Sequence, residues 1–563
     1  MELCRHRAHH QAARARGAPD QDAARGSGGL LRPFPRDARP DRAQEPARER
    51  RPDRPLRAPP QGEPRPPLHA RLSRDAAGGG RHGAGALSGR RIFWGAIALA
   101  AALRIVASIP FAVGWFDEIW QYLEPAWHLV AGPWVQTWDY REGLRSWLIP
   151  ELLALPMGLG RALSPDTMLH LLLVRLALAA LSLAIVGSAV ALGLRLSRLH
   201  GLVAGFVAAT WFELVYFAPR ALSEPIGLAL LMGAIWLLVA RERPGPRQFA
   251  VAGLLMGLCF VARIQYAPAL LTLAILTARR DWRSAWLPMI AGGCAALAID
   301  AAANLAMGAT PFRWMIEAAR INLLEGRARA YGELPLTGYF SLIAWYWYLA
   351  TAPILLLAWI GAKRYPVLLW VALVHLGFHS LIGHKEYRFV LASTALLVIL
   401  AAIGSAELLR RLPRRRLALA TAGTLALWGA ASAALAAGHF RPNWSLEADL
   451  AAALERAGRP PGTCGLALYR PRDTVAGAYA LYRRDTPIYV VRTPAEAARH
   501  LQAFDVVVAP RAHVAELPKH YRLEACATPG LTEAPGCVLR RAGGCTPDPA
   551  APEINAWLRA SGN

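Results

Sequence analysis

Long apolar runs separated by short polar segments organise the chain from residue 92 onward. About 20 apolar residues are enough for one helix to cross a bilayer, so each run is a candidate transmembrane helix. The pattern predicts an all-α polytopic membrane protein with about eleven transmembrane helices, although 248–278 also fits one long helix. The runs fall near residues 92–113, 166–194, 201–218, 221–240, 248–262, 264–278, 284–306, 338–360, 365–382, 388–408 and 416–437.

Short basic loops follow alternate apolar runs and set the expected orientation. Arginine-rich loops stay on the cytoplasmic side of a membrane, so these loops belong there together with Arg90 and Arg91. They are RLSRLH at 195–200, RERPGPR at 241–247, ARRDWR at 278–283, AKR at 362–364 and RRLPRRR at 410–416. The opposite, non-cytoplasmic face then carries 114–165, 218–225, the turn near Arg263, 307–337 and 383–388. Because every acid pair between the runs falls on that face, we expect the functional site there.

The first loop, residues 114–165, carries several acids among six tryptophans. Apolar residues near its start recur at helical spacing, which predicts a helix in the membrane surface with tryptophans at the interface. Asp117 and Glu118 lie where the first span should leave the bilayer, and ionisable groups at that depth are costly. They are therefore candidates for a general base beside an apolar site. The alternative is that they form the polar edge of a surface helix.

A dense polar cluster, HKEYR, lies between two apolar runs on the same face. The positive-inside rule disfavours cations there, so His384, Lys385 and Arg388 require an explanation. Two cations and an imidazole at the mouth of a helical bundle suit a lipid phosphate or pyrophosphate. Arg220 and Arg263 add to such an anion site. The alternative is that these side chains snorkel to the membrane interface.

The two ends of the chain differ from the apolar middle, which we take as a transmembrane domain at 92–438. Residues 1–91 are rich in Arg, Pro, Ala and Gly without apolar periodicity, which predicts a disordered tail or an incorrectly assigned start. Residues 439–563 alternate short β patterns with helical stretches. This pattern predicts a small extracytoplasmic α/β domain.

Composition narrows the class further. Much of the net charge of +24 lies in the tail and in the basic loops, so it orients spans and does not indicate nucleic-acid binding. Nearly all cations are arginines, as expected from a GC-rich genome. Four cysteines near the C-terminus lack CxxC spacing, which disfavours zinc and fits disulfides outside the cytoplasm. They are Cys464, Cys526, Cys537 and Cys545.

Three separated stretches follow one family pattern in consistent order over residues 92–410. They are Phe116-Asp117-Glu118 with the loop up to Pro150, the residues from Asp300 to Gly332, and His384-Lys385-Glu386-Tyr387-Arg388-Phe389. Together they resemble the Alg9-like mannosyltransferases, GT-C fold enzymes of N-glycan and GPI-anchor assembly that use dolichyl-phosphate-mannose. The resemblance implies Asp117 as the base of an inverting transfer and Glu118 as a second acid or positioning group. It also implies that His384, Lys385 and Arg388 contact the donor phosphate or hold the site together. Arg145, Glu325 and Tyr331 are further candidates for substrate binding.

These features predict an integral-membrane glycosyltransferase, and the resemblance implies a mannosyltransferase. It would move a sugar from a polyprenyl-phosphate donor to a hydroxyl of a glycolipid or glycan on the non-cytoplasmic side of a bacterial inner membrane. Its expected partners are this donor, this acceptor and the lipid bilayer. No cofactor is expected, although a divalent ion bridged by Asp117 and Glu118 stays open and would need further oxygen ligands.

Three alternative functions remain open at this stage. The same architecture could transfer another sugar, such as arabinose or rhamnose. A transporter or flippase of lipid-linked glycans is a second alternative, although the chain lacks the internal repeat that such proteins often show. A homologue without activity that serves as an assembly subunit is the third, and the retained acid pair argues against it.

Overall fold

The computed structural model describes residues 88–109, 115–444, 448–471, 478–527 and 536–561. The tail predicted for 1–91 lies outside these residues except for 88–91. There Ser88 caps the helix Gly89–Ser108, because its hydroxyl accepts the Arg91 N–H. The first apolar helix therefore begins slightly earlier than its apolar run predicted.

Apolar helices form the body of the structure. Within the described residues, six are long and apolar enough to cross a membrane: Gly89–Ser108, Leu169–Leu196, Trp282–Ala306, Gly338–Ala362, Tyr387–Leu409 and Arg414–Ala437. Four shorter apolar helices accompany them: Ser223–Leu238, Pro246–Ala262, Ile264–Ala278 and Pro366–Leu381. These ten coincide with ten of the predicted apolar runs. The all-α membrane architecture is confirmed.

One apolar run contains a break that was not predicted, and the predicted turn near Arg263 is present. The run that does not match one of these ten helices divides at Trp211 into Arg198–Thr210 and Phe212–Tyr216. The run at 248–278 divides at Arg263, whose extended backbone (φ −157°, ψ 103°) ends the preceding helix. The alternative of one long helix over that stretch is therefore wrong. The break matters because it places a charged residue at a helix end.

The first loop is helical in four short pieces. They are Glu118–Leu123, Glu124–Ala131, Trp138–Arg141 and Leu148–Leu163. The first two join end to end, as the helical spacing predicted, and the opening turn is π-helical. The last helix was not predicted. It buries one face and exposes the other, which carries Leu152, Leu155, Leu159 and Leu163, so it suits a place in the membrane surface.

Short helical turns connect the longer elements. They are Ile264–Tyr266, Trp282–Trp286, Arg313–Ala319, Arg320–Leu324, Arg327–Tyr331, Tyr348–Ala350, Tyr387–Val390 and Arg441–Trp444. Three of them lie in the long loop at 307–337, and Tyr387–Val390 contains Arg388. These turns bring polar residues from distant parts of the chain to the ends of the apolar helices.

The helix Leu391–Leu409 is the centre of the bundle, because nearly all of its residues are buried. It packs closely against Thr351–Ala362 at Gly404 and Gly361. A Cβ at Gly404 would lie 2.0 Å from the Leu357 carbonyl oxygen, and a Cβ at Gly361 would meet the facing helix as closely. Glycine at both positions therefore permits the two backbones to approach.

The C-terminal region folds into a five-stranded sheet with the order β2-β1-β3-β5-β4. The strands are β1 (Leu466–Tyr469), β2 (Ile488–Val491), β3 (Val506–Pro510), β4 (Arg522–Cys526) and β5 (Gly536–Arg540). β1 pairs in parallel with β2 and β3, whereas β5 pairs antiparallel with β3 and β4. The accompanying helices are Ala448–Ala457, Tyr479–Tyr482, Pro494–Arg499 and Ile554–Ser561. The predicted small α/β fold is confirmed.

Two disulfide bonds close this C-terminal fold. Cys526 bonds to Cys537 and joins the neighbouring strands β4 and β5. Cys464 bonds to Cys545 and ties the segment before β1 to the segment after β5. All four cysteines singled out in the sequence are thus paired with one another.

Candidate active site

Asp117 and Arg388, from the first and third motifs, meet in the structure. The Asp117 carboxylate forms an ion pair with the Arg388 guanidinium, although 271 positions separate the two residues. Its other oxygen accepts a hydrogen bond from Gln121 Nε2 at 2.9 Å, one turn further along the chain. The Asp117 side chain is 32% exposed, whereas Arg388 is buried. The two motifs therefore form one site with an accessible carboxylate.

Arg388 is shared by three carboxylates. Besides Asp117, it contacts Glu386, with 2.9 Å between Nε and Oε2, and Glu224, with 3.2 Å between Nη1 and Oε1. The Trp115 ring centroid lies 5.1 Å from its guanidinium carbon. A guanidinium suits this position because its planar fork holds several acceptors in fixed directions. The cation is therefore held rigidly among the acids.

Arg263 supplies a second guanidinium. Its Nη1 lies 3.0 Å from Glu224 Oε1 and donates to Ser223 Oγ at 3.1 Å. The Phe389 ring contacts both arginines, with its centroid 4.5 Å from the guanidinium carbon of Arg263 and 5.0 Å from that of Arg388. Cation–π attraction adds to the ion pairs here. We call Asp117, Glu224, Glu386, Arg263 and Arg388 the acid–arginine centre.

Glu118 belongs to a separate buried ion pair. Its Oε2 lies 3.3 Å from Arg220 Nη1, and its Oε1 accepts the Ala221 N–H at 3.3 Å. Both charged side chains are almost fully buried. Removing one partner of such a pair costs ~3–5 kcal/mol, because the other charge is left buried and unpaired. Glu118 and Arg220 thus anchor the first loop to the turn before Ser223–Leu238, and Asp117 is the member of the acid pair that reaches the centre.

His384 supports the centre through Glu386. Its Nε2 lies 3.1 Å from Glu386 Oε1, and its Nδ1 lies 3.1 Å from the Gly332 carbonyl oxygen. Both ring nitrogens therefore have an oxygen partner, which fixes the orientation of the ring. Burial alone would raise the pKa of Glu386, but Arg388 and His384 outweigh burial and hold that pKa below its usual value. Glu386 is therefore a carboxylate held between Arg388 and His384.

Lys385 lies on backbone oxygens rather than on the carboxylates of the centre. Its Nζ donates to the Leu334 carbonyl oxygen at 3.1 Å and to the Ile382 carbonyl oxygen. Burial lowers the pKa of this amine, and Glu333 partly offsets the effect. Lys385 therefore fastens the HKEYR loop to the segment around Leu334, and the structure does not bring it to the other cations of its motif.

Arg145 lies in the first loop beside an acid. Its Nε lies 3.0 Å from Asp139 Oδ2. Burial would lower the pKa of its guanidinium, but Asp139, followed by Tyr122 and Asp117, raises it above its usual value. Arg145 is therefore within electrostatic range of Asp117.

Tyr331 and Glu325 occupy different parts of the long loop at 307–337. The Tyr331 hydroxyl accepts a hydrogen bond from Trp138 Nε1 at 3.1 Å, which joins this loop to the first loop. Glu325 forms an ion pair with Arg320 and is about half exposed. Tyr331 thus lies beside the candidate site, whereas the ion pair of Glu325 is at the loop surface.

Two acids of the centre were not among the candidates predicted from the sequence: Glu386, which lies within HKEYR, and Glu224. Glu224 is fully buried and contacts both arginines. Its signal was present, because an acid at the start of an apolar run is costly in a membrane. Glu213 is a second buried acid of this kind. It accepts hydrogen bonds from the Tyr387 hydroxyl and from Trp347 Nε1, the latter at 2.8 Å. Glu213 therefore holds Tyr387, the residue next to Arg388 in HKEYR.

The fold is that of an integral membrane protein of the GT-C type. The apo structure of ArnT from Cupriavidus metallidurans matches with a TM-score of 0.50, covering 82% of this chain and 98% of that chain at 11% identity. The structure of the same protein bound to undecaprenyl phosphate gives a TM-score of 0.49, covering 80% and 98% at the same identity. At such identity the likeness concerns the fold alone, and the predicted fold class is confirmed.

The family follows from the sequence itself. The sequence model of the Alg9-like mannosyltransferase family matches residues 96–453, and the chain belongs to this family. The probable Dol-P-Man:Man(7)GlcNAc(2)-PP-Dol alpha-1,6-mannosyltransferase of Schizosaccharomyces pombe is 28% identical over 217 residues. That alignment spans 38% of this chain and 38% of the relative. The resemblance found in the three motifs is confirmed, and the family match ends before β1.

Proposed function

We propose that this protein is an inverting mannosyltransferase that moves a sugar from a polyprenyl-phosphate donor to a hydroxyl of a glycolipid or glycan. Membership of a mannosyltransferase family supports the reaction class. The fission-yeast relative is named for a dolichyl-phosphate-mannose-dependent transfer, which supports a polyprenyl-phosphate donor here. The observation that carries the proposal is the contact of Asp117 with Arg388, because it unites a base with an anion-binding group.

Asp117 is the proposed general base. It takes the proton of the acceptor hydroxyl while the acceptor oxygen attacks C1 of the sugar from the face opposite the phosphate. The bond from C1 to the phosphate oxygen breaks, its electron pair leaves with polyprenyl phosphate, and the configuration at C1 inverts. General-base assistance contributes typically about 10²–10⁴-fold to a rate. The exposure of Asp117 supports this role, since Glu224 in the same centre is fully buried.

Arg388 and Arg263 are the proposed groups that stabilise the departing phosphate. Fixed cations in a site of low dielectric stabilise developing charge without reorganising during the reaction. Both guanidinium groups contact Glu224, which holds their positions before the donor arrives. Arg145 supplies further positive charge from the first loop. In this scheme His384 acts through Glu386 and orients Arg388.

The proposed location of the reaction is the non-cytoplasmic side of a bacterial inner membrane. The alternation of basic loops along the sequence supports this side for the first loop and for HKEYR. The two disulfides in the C-terminal region support an oxidising compartment. The arginine-dominated composition supports a bacterial source.

The decisive experiment compares wild-type protein with Asp117→Asn. Each purified protein is incubated with radiolabelled polyprenyl-phosphate-mannose and a membrane lipid extract, and transfer to lipid is counted. We expect the loss of the base to lower the rate by about 10²–10⁴-fold. Asp281→Asn is the matched control, because it makes the same chemical change at an exposed carboxylate whose hydrogen bond is with the Ser284 N–H.

Two outcomes contradict the proposal in different ways. Equal transfer by wild type and Asp117→Asn would refute the assignment of the base. Absence of transfer from every member of a panel of polyprenyl-phosphate sugars would refute the function as a whole. Transfer of a different sugar from that panel would keep the reaction class and replace mannose.

A further inference from the structure

The backbone of Ala480, in the C-terminal region, forms hydrogen bonds with the first loop and with the helix that follows it. Its N–H donates to Glu124 Oε1 at 2.7 Å, and its carbonyl oxygen lies 2.8 Å from His170 Nε2. Glu124 and His170 are both buried. Two side chains from the region matched by the family thus hold both polar groups of one peptide from the region beyond that match. We call this arrangement the clasp.

The same carboxylate also holds the first loop together. Glu124 Oε2 accepts the Val135 N–H at 2.8 Å, so one side chain joins its own helix, the strand-like segment after it and the C-terminal region. The charge of Glu124 is thereby met by two backbone N–H groups. A carboxylate in this setting has directional partners, and its two oxygens fix the distance between them.

A second bridge lies next to the first. Asn555 Oδ1 accepts the Gln136 N–H at 2.8 Å, and Asn555 Nδ2 donates to the Trp134 carbonyl oxygen at 3.1 Å. Residues 134–136 are therefore held on both sides by the C-terminal region and Glu124. Apolar side chains seal the contact, because residues 478–482 share one buried core with the helical turns around Leu123.

The clasp continues to the proposed base through the first loop. The helix of Glu124 follows directly on the π-helical turn that begins after Asp117. The Tyr140 hydroxyl donates to the Gln121 carbonyl oxygen at 2.8 Å, and Gln121 Nε2 donates to Asp117 at 2.9 Å. The π-helical turn is thus fixed at both ends, because Asp117 before it pairs with Arg388 and Glu124 after it belongs to the clasp.

We propose that Glu124 is a positioning residue and that the C-terminal region is a brace which sets the geometry of Asp117 through the clasp. The inference rests on the proposed function, since it concerns the same base. It assigns a role to a part of the chain that lies beyond the family match at 96–453. The brace affects the rate of the chemical step. It does not move Arg388 and Arg263, the cations proposed to bind the phosphate of the donor.

The test uses the full-length protein and the variant Glu124→Gln. Glutamine has the size of glutamate, but its amide NH₂ faces one of the two N–H donors at Val135 and Ala480. A displacement of a reacting group by about 1 Å can lower a rate about 10²-fold, so we expect kcat to fall by roughly 10- to 100-fold. The KM for polyprenyl-phosphate-mannose should stay close to that of wild type. Hydrogen exchange at the amides of Val135 and Ala480 should become faster.

The matched control is Glu524→Gln on the strand β4. It makes the same chemical change in the same region, where Glu524 pairs with Arg456 and Arg540 away from the first loop. We expect wild-type kcat and unchanged exchange at Val135 and Ala480. Asn555→Ala is a second test that leaves Glu124 intact, and it should lower kcat less than Glu124→Gln while speeding exchange around residue 136.

The outcomes separate the brace from the proposed function. Wild-type kcat in both Glu124→Gln and Asn555→Ala, with faster exchange at the clasp, would overturn the positioning role and leave a mere docking contact. A raised KM at unchanged kcat would overturn it as well, because the clasp would then act on donor binding. Absence of transfer by wild type would overturn the proposed function instead. If Glu124→Gln does not fold, the kcat of Asn555→Ala decides.

Discussion

Replacing Arg388 with lysine tests the acid–arginine centre most directly. Arginine meets Asp117, Glu224 and Glu386 with three different nitrogens. A lysine ammonium is a compact charge on a flexible stem and cannot hold three carboxylates in the directions of a planar fork. The formal charge stays the same in Arg388→Lys. Any loss of activity therefore reports geometry and not a missing charge.

The expected loss can be worked from these contacts. Hydrogen bonds to charged groups contribute about 1.5–3 kcal/mol each, and a lysine that keeps one carboxylate gives up two of the three. Glu386 still has His384 and Glu224 still has Arg263, so each acid keeps a partner. At the low end of the range the loss is ~3 kcal/mol. If the full loss of ~3 kcal/mol falls on the transition state, kcat decreases roughly 100-fold.

The assay is transfer from radiolabelled polyprenyl-phosphate-mannose, with kcat and Tm measured on the same preparations. The matched control is Arg459→Lys, an exposed arginine paired with Glu455, which should transfer sugar at the wild-type rate. A folded Arg388→Lys protein with a kcat close to wild type would show that the fork geometry is unimportant and would refute the reasoning. A large fall in Tm without a fall in kcat would do the same, because the contacts would then serve stability alone.

Three further predictions concern stability. Burial raises the pKa of Glu124 to about 7, although the N–H groups of Ala480 and Val135 lower it. Between the usual pKa of a glutamate and 7, the folded protein therefore binds a proton that the unfolded chain does not, and Tm should fall as the pH rises through that window. The plot of Tm against pH should be flatter for Glu124→Gln than for wild type. His170 and Tyr479 are the other titratable groups next to Glu124 and Ala480, and both are the same in wild type and in Glu124→Gln. Gly404→Ala places a Cβ 2.0 Å from the Leu357 carbonyl oxygen and should cost ~1–3 kcal/mol of stability, read as a lower Tm. Reducing the disulfides with a thiol should cost ~2–5 kcal/mol, seen as faster proteolysis of the C-terminal region.

The apolar runs predicted the bundle well because lipid imposes a simple rule on sequence. Each transmembrane helix needs a continuous apolar stretch, and the number of arginines in a loop indicates on which side of the membrane that loop lies. The turn near Arg263 followed from this rule, whereas the break at Trp211 escaped it because Trp211 lies within a stretch whose average hydropathy is high. The helix Leu148–Leu163 escaped it for another reason. Its period is that of an amphipathic helix, and its prolines and glycines made it resemble a loop.

The site was predictable only in part, because its contacts join residues that are distant in sequence. Asp117, His384 and Arg388 stand out as charges at membrane depth, and the structure brings Asp117 and Arg388 into contact. Glu224 has the same signal, yet nothing in the sequence shows that it lies between two arginines. The sequence also does not show that Lys385 lies on the Leu334 carbonyl oxygen, and its contact with a donor phosphate stays a prediction. Charge and spacing identify candidates, whereas partners depend on how the helices pack.

The pairing of Asp117 with Arg388 gives the proposed reaction a built-in order. In the structure one oxygen of Asp117 meets Arg388 and the other meets Gln121, so the carboxylate is occupied before any substrate is present. On the proposed function, a donor phosphate would compete with Asp117 for the same guanidinium, whereas Glu224 and Glu386 would continue to hold that guanidinium in place. Under that proposal, the arrival of the phosphate would free an oxygen of Asp117 to take the proton of the acceptor hydroxyl. On the proposed function, a single arginine that is shared among three acids links donor binding to exposure of the base.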